Sequence, residues 1–476
     1  MKPAEIDALG DELLLNIFEQ ASREEGHHVL RMTLPMVCKR WRRAIYGAKG
    51  GSLFRSLIGL AMLLVILGEK LQCLTVNGHT GLLHDFKFSC LWMVPNLELL
   101  HLVDVAHTID QEDFGKGISC LRSLEEFLIS SQESQGSAGF TSFPTALCSL
   151  EHLTALSFEN QEFGRLPEVI TQLAKLAHLS IHGGWVEHSE EGHLPAILGH
   201  LTMLKGLTLI NCLSLVQAEP GSPKETFCWR CMTQLTSLTL TGGYGGSEVQ
   251  LPPEVGYLTG LIELELLHSN QLEDQLQLST LKSLESIRIS YSFSMGRLPA
   301  WMGVLPNLTF LEMDEVELDA WPSAGFTSLQ SLGMLRSCVE KVGDSISQLT
   351  CLTALILLDC PITELSSRIS CLQNLRHLNL DTTHFLEFPC ALQALRAPQL
   401  RTVRLVGHNT LTKLHMHKES RPMPVKARNL AWLLHHPRLE RVDISTSKAE
   451  ATALQGFKKK LSRVCGRDVL TIKCYE

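Results

Sequence analysis

Apolar residues recur along most of this chain in one short pattern, L-x-x-L-x-L. The pattern is clearest at Leu329/Leu332/Met334, Leu352/Leu355/Leu357 and Leu375/Leu378/Leu380, where equivalent positions lie 23 residues apart. Because the side chains of a strand alternate between two faces, each copy predicts a short strand with one apolar face. The segments between these strands carry apolar residues of their own, which predicts a return path that packs against the same core.

The same frame continues on both sides of these three copies, and this predicts a tandem stack. Further copies begin at Leu71, Leu97, Leu124, Leu153, Leu176, Leu204, Leu235, Leu261, Leu284, Leu308, Leu400 and Leu439. A single unit cannot bury its apolar face alone, so neighbouring units must stack to close a core. We therefore predict an α/β solenoid with a curved parallel sheet on one side and irregular or helical segments on the other.

The frame and its period resemble the leucine-rich repeat, whose units are about 20–29 residues long. Leucine-proline pairs precede several strands and resemble the plant-type or algal-type intracellular form of that repeat. They are Leu166-Pro167, Leu194-Pro195, Leu251-Pro252 and Leu298-Pro299.

The range of the frame predicts the domain organisation. We expect a helical domain over residues 1–57, the solenoid over 58–446, and a capping helix and strand over 447–476. Ser447 and Glu450 form a capping box that begins the predicted helix. Its apolar face is predicted to hold Leu454, Phe457, Leu461 and Val464.

Residues 1–57 lack the frame and predict three short helices: one after Asp11, one at Val29–Thr33 and one after Pro35. Four sequence blocks in this region resemble the F-box, whose pattern runs L-P-x-E-L-L-x-x-I-F, V-C-K-x-W and L-W-x-x-L. The blocks are Leu9–Leu14, Ile17-Phe18, Val37–Trp41 and Ser52–Leu57. Gly10 replaces the proline of that pattern and Phe54 replaces its last tryptophan.

Together the two resemblances imply a substrate-recognition subunit of an SCF-type cullin-RING ubiquitin ligase, which is a non-catalytic role. In that family the F-box binds a Skp-type adaptor of the cullin complex, and the repeats hold the target protein. The resemblance implies that adaptor binding depends on Leu9, Leu13, Leu14, Ile17, Phe18, Leu30, Val37 and Trp41. The alternative is a leucine-rich-repeat scaffold or signalling protein without a ubiquitin role.

The positions between the framed leucines point outward and are the candidate contacts for a target. They are acidic with two aromatic residues in the middle repeats, and basic from Arg336 onward. The candidates are Glu263, Glu265, Arg288, Tyr291, Phe310, Glu312, Arg376, Arg401 and Arg404. A solvated charged face without a dedicated ligand is the alternative.

Two of these arginines share a frame position in consecutive repeats. We predict that Arg376 and Arg401 lie about 4.8 Å apart on neighbouring strands. Like charges at that distance repel, so an acidic or phosphorylated segment, or a carboxylate of Asp381 or Asp443, is expected beside them.

Composition and charge limit the partners and the cellular compartment that we expect for this protein. The net charge is −8, and only residues 401–476 are basic, so no nucleic-acid partner is expected. The 15 cysteines are scattered and odd in number, which favours thiols in a reducing compartment, the cytoplasm or the nucleus. The most apolar run, residues 57–67, is shorter than the roughly 20 residues that span a membrane, so no membrane partner is expected.

Motifs for chemistry are missing from the sequence. No phosphate-binding GxxxxGK[ST] loop or G-x-S-x-G elbow occurs, so we expect neither an enzyme nor a cofactor. Cys228 and Cys231 form a single CxxC pair, and the histidines near His415 and His435 have no supporting ligands. No metal site is therefore expected.

Overall fold

The computed structural model describes residues 32–33, 71–77, 87–105, 108–131, 139–161, 166–182, 196–213, 229–242, 251, 253–269, 272, 276–318, 321, 325–385, 387–406 and 425–474. The chain divides into two compact units, Met1–Leu235 and Thr236–Glu476. The eight predicted adaptor-binding residues, and the predicted helical domain apart from residues 32–33, lie outside this described part.

The first unit contains seven described strands that pair in chain order. The strands are β1 (Met32–Thr33), β2 (Cys73–Asn77), β3 (Leu99–Val105), β4 (Glu126–Ser131), β5 (Ala155–Glu159), β6 (His178–His182) and β7 (Gly206–Leu213). From β2 to β7 the pairing is parallel, and the framed residues Leu74, Leu100 and Phe127 lie opposite one another.

The short strand β1 differs from the sequence prediction. Its residues belong to a segment predicted as helix, but Met32 and Thr33 pair antiparallel with Val76 and Thr75 of β2. The pairing satisfies backbone groups on the edge of β2 that faces away from β3, and an unpaired edge is unfavourable.

The second unit continues the same architecture. Its strands are β8 (Ser237–Gly242), β9 (Glu263–Leu267), β10 (Ser286–Gly296), β11 (Phe310–Leu318), β12 (Ser331–Leu335), β13 (Lys341–Val342), β14 (Ala354–Leu358), β15 (Glu364–Leu365), β16 (His377–Asp381), β17 (Thr402–Val406), β18 (Arg441–Thr446) and β19 (Leu470–Cys474). Strands β13 and β15 form a separate parallel pair. The other ten form one parallel series in chain order.

The leucine frame forms continuous buried rows across these strands. Leu332, Leu355 and Leu378 lie opposite one another on β12, β14 and β16, and all three are buried. Every predicted copy of the frame coincides with a strand. Burying one leucine contributes roughly 1.5–3 kcal/mol, so each repeat depends on the neighbours that cover it.

Short 3₁₀ turns form most of the return segments, with a few α-helices. The turns Asp344–Gln348 and Ser367–Cys371 bury Ile346 and Ile369, and the turn Cys390–Ala394 buries Ala391 and Leu392. The helices are α1 (Gln111–Ile118), α2 (Ala300–Gly303), α3 (Lys448–Ala453) and α4 (Gln455–Cys465). The predicted irregular or helical side of the solenoid is confirmed.

Helix α1 lies where other repeats of the first unit have a 3₁₀ turn. Its N-terminal amides are capped and its inner face is buried. Asp110 accepts hydrogen bonds from the amides of Glu112 and Asp113 at the N-terminus. Phe114 on its inner face is fully buried, with ring centroids 5.1 Å from Phe88 and 4.8 Å from Phe140. Edge-to-face contacts of this kind add to the burial energy.

Six of the described repeats pass through a left-handed residue two positions after the last framed residue. These residues have positive φ and occupy one frame position: Asn160, His268, Tyr291, Glu315, Arg336 and Asp359. A non-glycine residue in this conformation costs about 1–2 kcal/mol. The amides of His268 and Arg336 donate to carbonyls of the next strand, 2.9 Å away at Ser290 and Leu358, which offsets that cost.

The position after the left-handed residue is buried and mostly polar. Ser292 Oγ accepts a hydrogen bond from the Ser269 amide of the previous repeat at 3.1 Å. Cys360 Sγ lies 3.3 Å from the Leu358 carbonyl and 3.5 Å from the Met334 carbonyl. Burial raises the pKa of the Cys360 thiol to about 12, so it remains protonated and acts as a structural donor.

The C-terminal segment covers the last repeat. Ser447 Oγ accepts from the Glu450 amide at 3.4 Å, as the capping box predicts. The single predicted helix is divided into α3 and α4, which meet at Leu454, and Val464 is exposed instead of lying on the apolar face. Gly466 ends α4 in a left-handed conformation with φ of 71°, and β19 then pairs with β18.

Replacing a framed residue should cost far more stability than replacing its outward neighbour. We expect Leu357→Ala to lower the free energy of unfolding by about 2–5 kcal/mol, because Leu357 is fully buried and a cavity remains. Ile356→Ala on the opposite face should cost less than about 1.5 kcal/mol, since Ile356 is already partly exposed. Urea unfolding of both full-length variants measures the difference, and equal losses would contradict the assigned strand orientation.

Candidate functional site

The outward positions of β9–β18 form one surface, which we call the sheet face. Three of the rows that cross it carry predicted contacts or patch residues. The row at the first residue of each strand contains Glu263, Ser286, Phe310, Ser331, Ala354, His377, Thr402 and Arg441. The N-terminal row, just before each strand, contains Glu285, Thr309, Gln330, Thr353, Arg376, Arg401 and Glu440, joined by backbone hydrogen bonds between neighbours. The middle row contains Glu265, Arg288, Glu312, Gly333, Ile356, Asn379, Arg404 and Asp443. These rows place most of the predicted contact residues on a single face.

The β9–β11 end of the sheet face carries an acidic patch, defined as Glu263, Glu265, Glu285 and Glu312. Arg288 lies between Glu265 and Glu312 in the middle row, but its guanidinium carbon lies 4.9 Å from the centre of the Phe310 ring. Within the described part of the chain, Glu312 forms no hydrogen bond or ion pair, whereas Glu265 accepts from Thr239 Oγ1 at 3.2 Å. The patch therefore keeps carboxylates that the fold does not use.

The left-handed residues form an ordered edge beside the acidic patch. The Tyr291 ring stacks on His268 with centroids 5.3 Å apart. Arg336 binds both carboxylate oxygens of Asp314, through Nε at 2.9 Å and through Nη2, and its Nη1 lies 2.9 Å from Glu315 Oε1. The hydrogen bonds that Arg336 donates to Asp314 hold the pKa of Arg336 above its ordinary value.

Placing Arg336 in the basic region was wrong. The left-handed turn directs its side chain toward Asp314 and Glu315 on the previous repeat, where it neutralises acidic groups. Leucine spacing alone assigns residue 336 to one more outward position and does not predict this ion pair.

The opposite end carries a basic patch, defined as Arg376, Arg401, Arg404 and Arg441. Strands β16 and β17 pair directly, and the Arg401 amide donates to the Arg376 carbonyl at 2.8 Å, so the predicted adjacency is confirmed. Glu440 supplies the nearby carboxylate, 3.5 Å from Arg401 Nη1, in place of Asp381 or Asp443. Among the described residues, Arg376 has no ion-pair partner.

The two predicted carboxylates have other partners. Asp381 accepts from the Thr383 amide at 2.8 Å and is buried. Asp443 is also buried, and its Oδ2 lies 2.8 Å from Arg441 Nε and 3.6 Å from Arg404 Nε. Asp443 Oδ1 has no hydrogen-bond partner among the described residues. Two guanidinium groups thus share one carboxylate, and the patch keeps a net positive charge.

A third region between the patches was missed from the sequence. This apolar strip consists of Leu335, Ala354, Ile356 and Leu358, all partly exposed, with Gly333 beside them. Gly333 is buried, and a Cβ there would lie 3.3 Å from Glu312 Cγ and 3.7 Å from Leu335 Cδ1, so the glycine makes room for these two side chains in the middle row. Every outward strand position of these two repeats is uncharged, and this run of uncharged positions is the sequence signal that indicates the strip.

The sheet face of the first unit has a different character. Its middle row is mainly Ser, Thr and His, at Thr75, His101, Ser157, Ser180 and Thr208. Ser180 Oγ lies 3.0 Å from His182 Nε2. Burial lowers the pKa of His182, which favours its neutral form. Over the residues that the structure describes, no cluster of three or more His, Cys, Asp or Glu side chains is arranged to hold a metal ion. In the same residues, no helix has the length and apolar character to cross a membrane.

Comparisons with known proteins agree with the fold. Residues 134–321 match the model of a leucine-rich repeat region. A leucine-rich-repeat protein of Leptospira interrogans has a TM-score of 0.51 and 17% identity, over 88% of this chain and 99% of that one. An internalin of Listeria monocytogenes has a TM-score of 0.43 and 16% identity, over 91% and 93% of the two chains. No curated protein sequence matches.

The match over residues 134–321 and the likeness to the Leptospira protein confirm the predicted leucine-rich-repeat fold. At 17% identity, the Leptospira protein shows the fold alone. The described part of the chain is accordingly a leucine-rich-repeat solenoid in which parallel strands predominate and helices are few.

The ion pair of Arg336 should contribute to stability, whereas a more exposed pair should not. The side chains of Arg336 and Asp314 are 33% and 23% exposed, against 61% and 66% for Lys341 and Glu364. We expect Arg336→Met to lower the free energy of unfolding by about 1–2 kcal/mol, because Asp314 loses two charged hydrogen bonds. Lys341→Met should leave the free energy of unfolding unchanged. Urea unfolding tests both, and an unchanged Arg336→Met variant would show that the pair is not formed in solution.

Proposed function

We propose that this chain is a non-catalytic protein-binding subunit that holds a target protein on the sheet face of the second unit. The observation that carries this proposal is the separation of roles along each strand. The leucines fill the core, while charged outward side chains such as Glu312 and Arg376 are held at fixed positions without an ion-pair partner among the described residues. A charged side chain that the fold does not use is available to a partner.

We also propose that residues 1–57 bind a Skp-type adaptor, which would make the chain the substrate receptor of a cullin-RING ubiquitin ligase in the cytoplasm or the nucleus. The support is the order and spacing of the F-box-like blocks from Leu9 to Leu57. In this proposal other subunits transfer ubiquitin, and this chain needs no cofactor. The second candidate is a repeat scaffold without a ubiquitin role, which the fold supports equally well.

Adaptor binding distinguishes these two candidates. The full-length chain should retain a recombinant Skp-type adaptor in a pull-down, and the double variant Leu14→Lys/Ile17→Lys should lose it. Two apolar side chains buried at the contact contribute about 3–6 kcal/mol together, so affinity should fall more than a hundredfold. A chain that lacks residues 1–57 is the second variant and should also fail to retain the adaptor. Equal recovery from all three proteins would exclude the receptor role and favour the scaffold.

Target binding tests the sheet face independently of the adaptor. The double variant Glu312→Lys/Arg376→Glu leaves the net charge unchanged, and it should lose most proteins that cross-link to this face in cell extract. The matched control Lys341→Glu/Glu364→Lys exchanges an exposed ion pair outside the sheet face and should retain them. Quantitative mass spectrometry of cross-linked peptides compares the three chains. Identical partner profiles would contradict the proposed binding face.

A further inference from the structure

Charge on the sheet face of the second unit is segregated in one direction. The N-terminal row runs from Glu285 through the uncharged Thr309, Gln330 and Thr353 to Arg376. The middle row runs from Glu312 through Gly333, Ile356 and Asn379 to Arg404. Both rows therefore change from acidic to basic across an uncharged interval of the same length.

The two patches are too far apart to neutralise each other. Four strand-to-strand steps separate Glu312 on β11 from Arg404 on β17, and each step is about 4.8 Å, which gives roughly 19 Å. Surface charges are screened over about 8 Å at physiological ionic strength. Each patch thus presents its own potential to a partner.

Local pairing does not cancel either patch. In the basic patch, four arginines face the carboxylates of Glu440 and Asp443. In the acidic patch, four glutamates surround Arg288, whose guanidinium lies against the Phe310 ring. The patches keep opposite net charges after every described contact is counted.

The interval between the patches suits an apolar side chain. Ile356, Leu335 and Leu358 are partly exposed there, and Leu335 packs beside the buried Gly333. Burying an apolar group at the centre of a charged contact is a common arrangement in protein interfaces. A partner chain in extended conformation advances about 3.3 Å per residue, so about six residues cover the roughly 19 Å between the patches.

We propose that the sheet face of the second unit binds an extended segment of a partner protein whose charges are likewise segregated. Basic side chains contact the acidic patch, an apolar side chain packs on the apolar strip, and acidic side chains contact the basic patch. About six residues separate the two charged contacts. This inference rests on the proposed target-binding function and specifies the class of target.

Peptide binding to the full-length chain tests the proposal. The probes are two labelled peptides of identical composition: the segregated K-K-S-S-L-S-S-E-E, and K-E-S-S-L-S-S-K-E, in which each end is neutral. Fluorescence anisotropy at low salt should show at least fivefold tighter binding of the segregated peptide, with the difference shrinking as salt increases. Equal affinities, or no saturable binding of either peptide up to millimolar concentration, would overturn the proposal.

A charge-swapped chain gives a second readout. Glu285→Lys/Glu312→Lys alone, or Arg376→Glu/Arg404→Glu alone, should weaken the segregated peptide at least tenfold. The chain carrying all four substitutions has the original net charge and should regain binding with the peptide reversed. A photo-cross-linker at the basic end should label β9–β11 in the original chain and β16–β17 in the swapped chain. Labelling of one region in both chains would refute the proposed orientation.

Two controls separate a lost contact from a lost fold. The Lys341→Glu/Glu364→Lys chain should bind like the original, and urea unfolding should confirm that every variant is folded. Ile356→Ser removes an apolar side chain from the apolar strip and should weaken the segregated peptide at least fivefold while the chain remains folded. Target capture that depends on the face, without preference for the segregated peptide, would leave the proposed function standing and overturn this inference alone.

Discussion

Burial of the spaced leucines between neighbouring repeats is the interaction on which the rest of this structure depends. A strand such as β14 places Leu355 and Leu357 on one side, and the equivalent residues of β12 and β16 cover them. Because no repeat closes its own core, the repeats stabilise one another in sequence. The 3₁₀ turns complete the burial with residues such as Ile346 and Ile369.

The same constraint leaves the outward positions free for binding. A strand in this stack needs apolar residues only on its inner side. Glutamate, isoleucine and arginine at the outward positions 312, 356 and 404 are therefore all compatible with the same core. The left-handed residues of six described repeats add a second ordered edge. Among them, His268 and Arg336 donate their backbone amides to carbonyls of the next repeat.

Much of the fold was predictable because strand position follows from leucine spacing alone. The last two residues of every framed triplet lie on a strand, and Arg376 lies beside Arg401 as predicted. Side-chain pairing was less predictable. The partner of Arg336 depends on a backbone turn that spacing does not encode, and Glu440 replaced the carboxylates expected beside Arg401. The boundary between α3 and α4 was missed as well, since one helical period fits both.

Hydrogen exchange of the full-length chain in increasing urea tests the shared core most directly. The strand amides of Leu332, Leu355 and Leu378 should be strongly protected in water, because their hydrogen bonds lie within the stack. We expect β12, β14 and β16 to lose protection together as urea increases, since each covers the next. Strand amides that exchange as fast as exposed turns, or neighbouring strands that open independently at well-separated urea concentrations, would contradict the account.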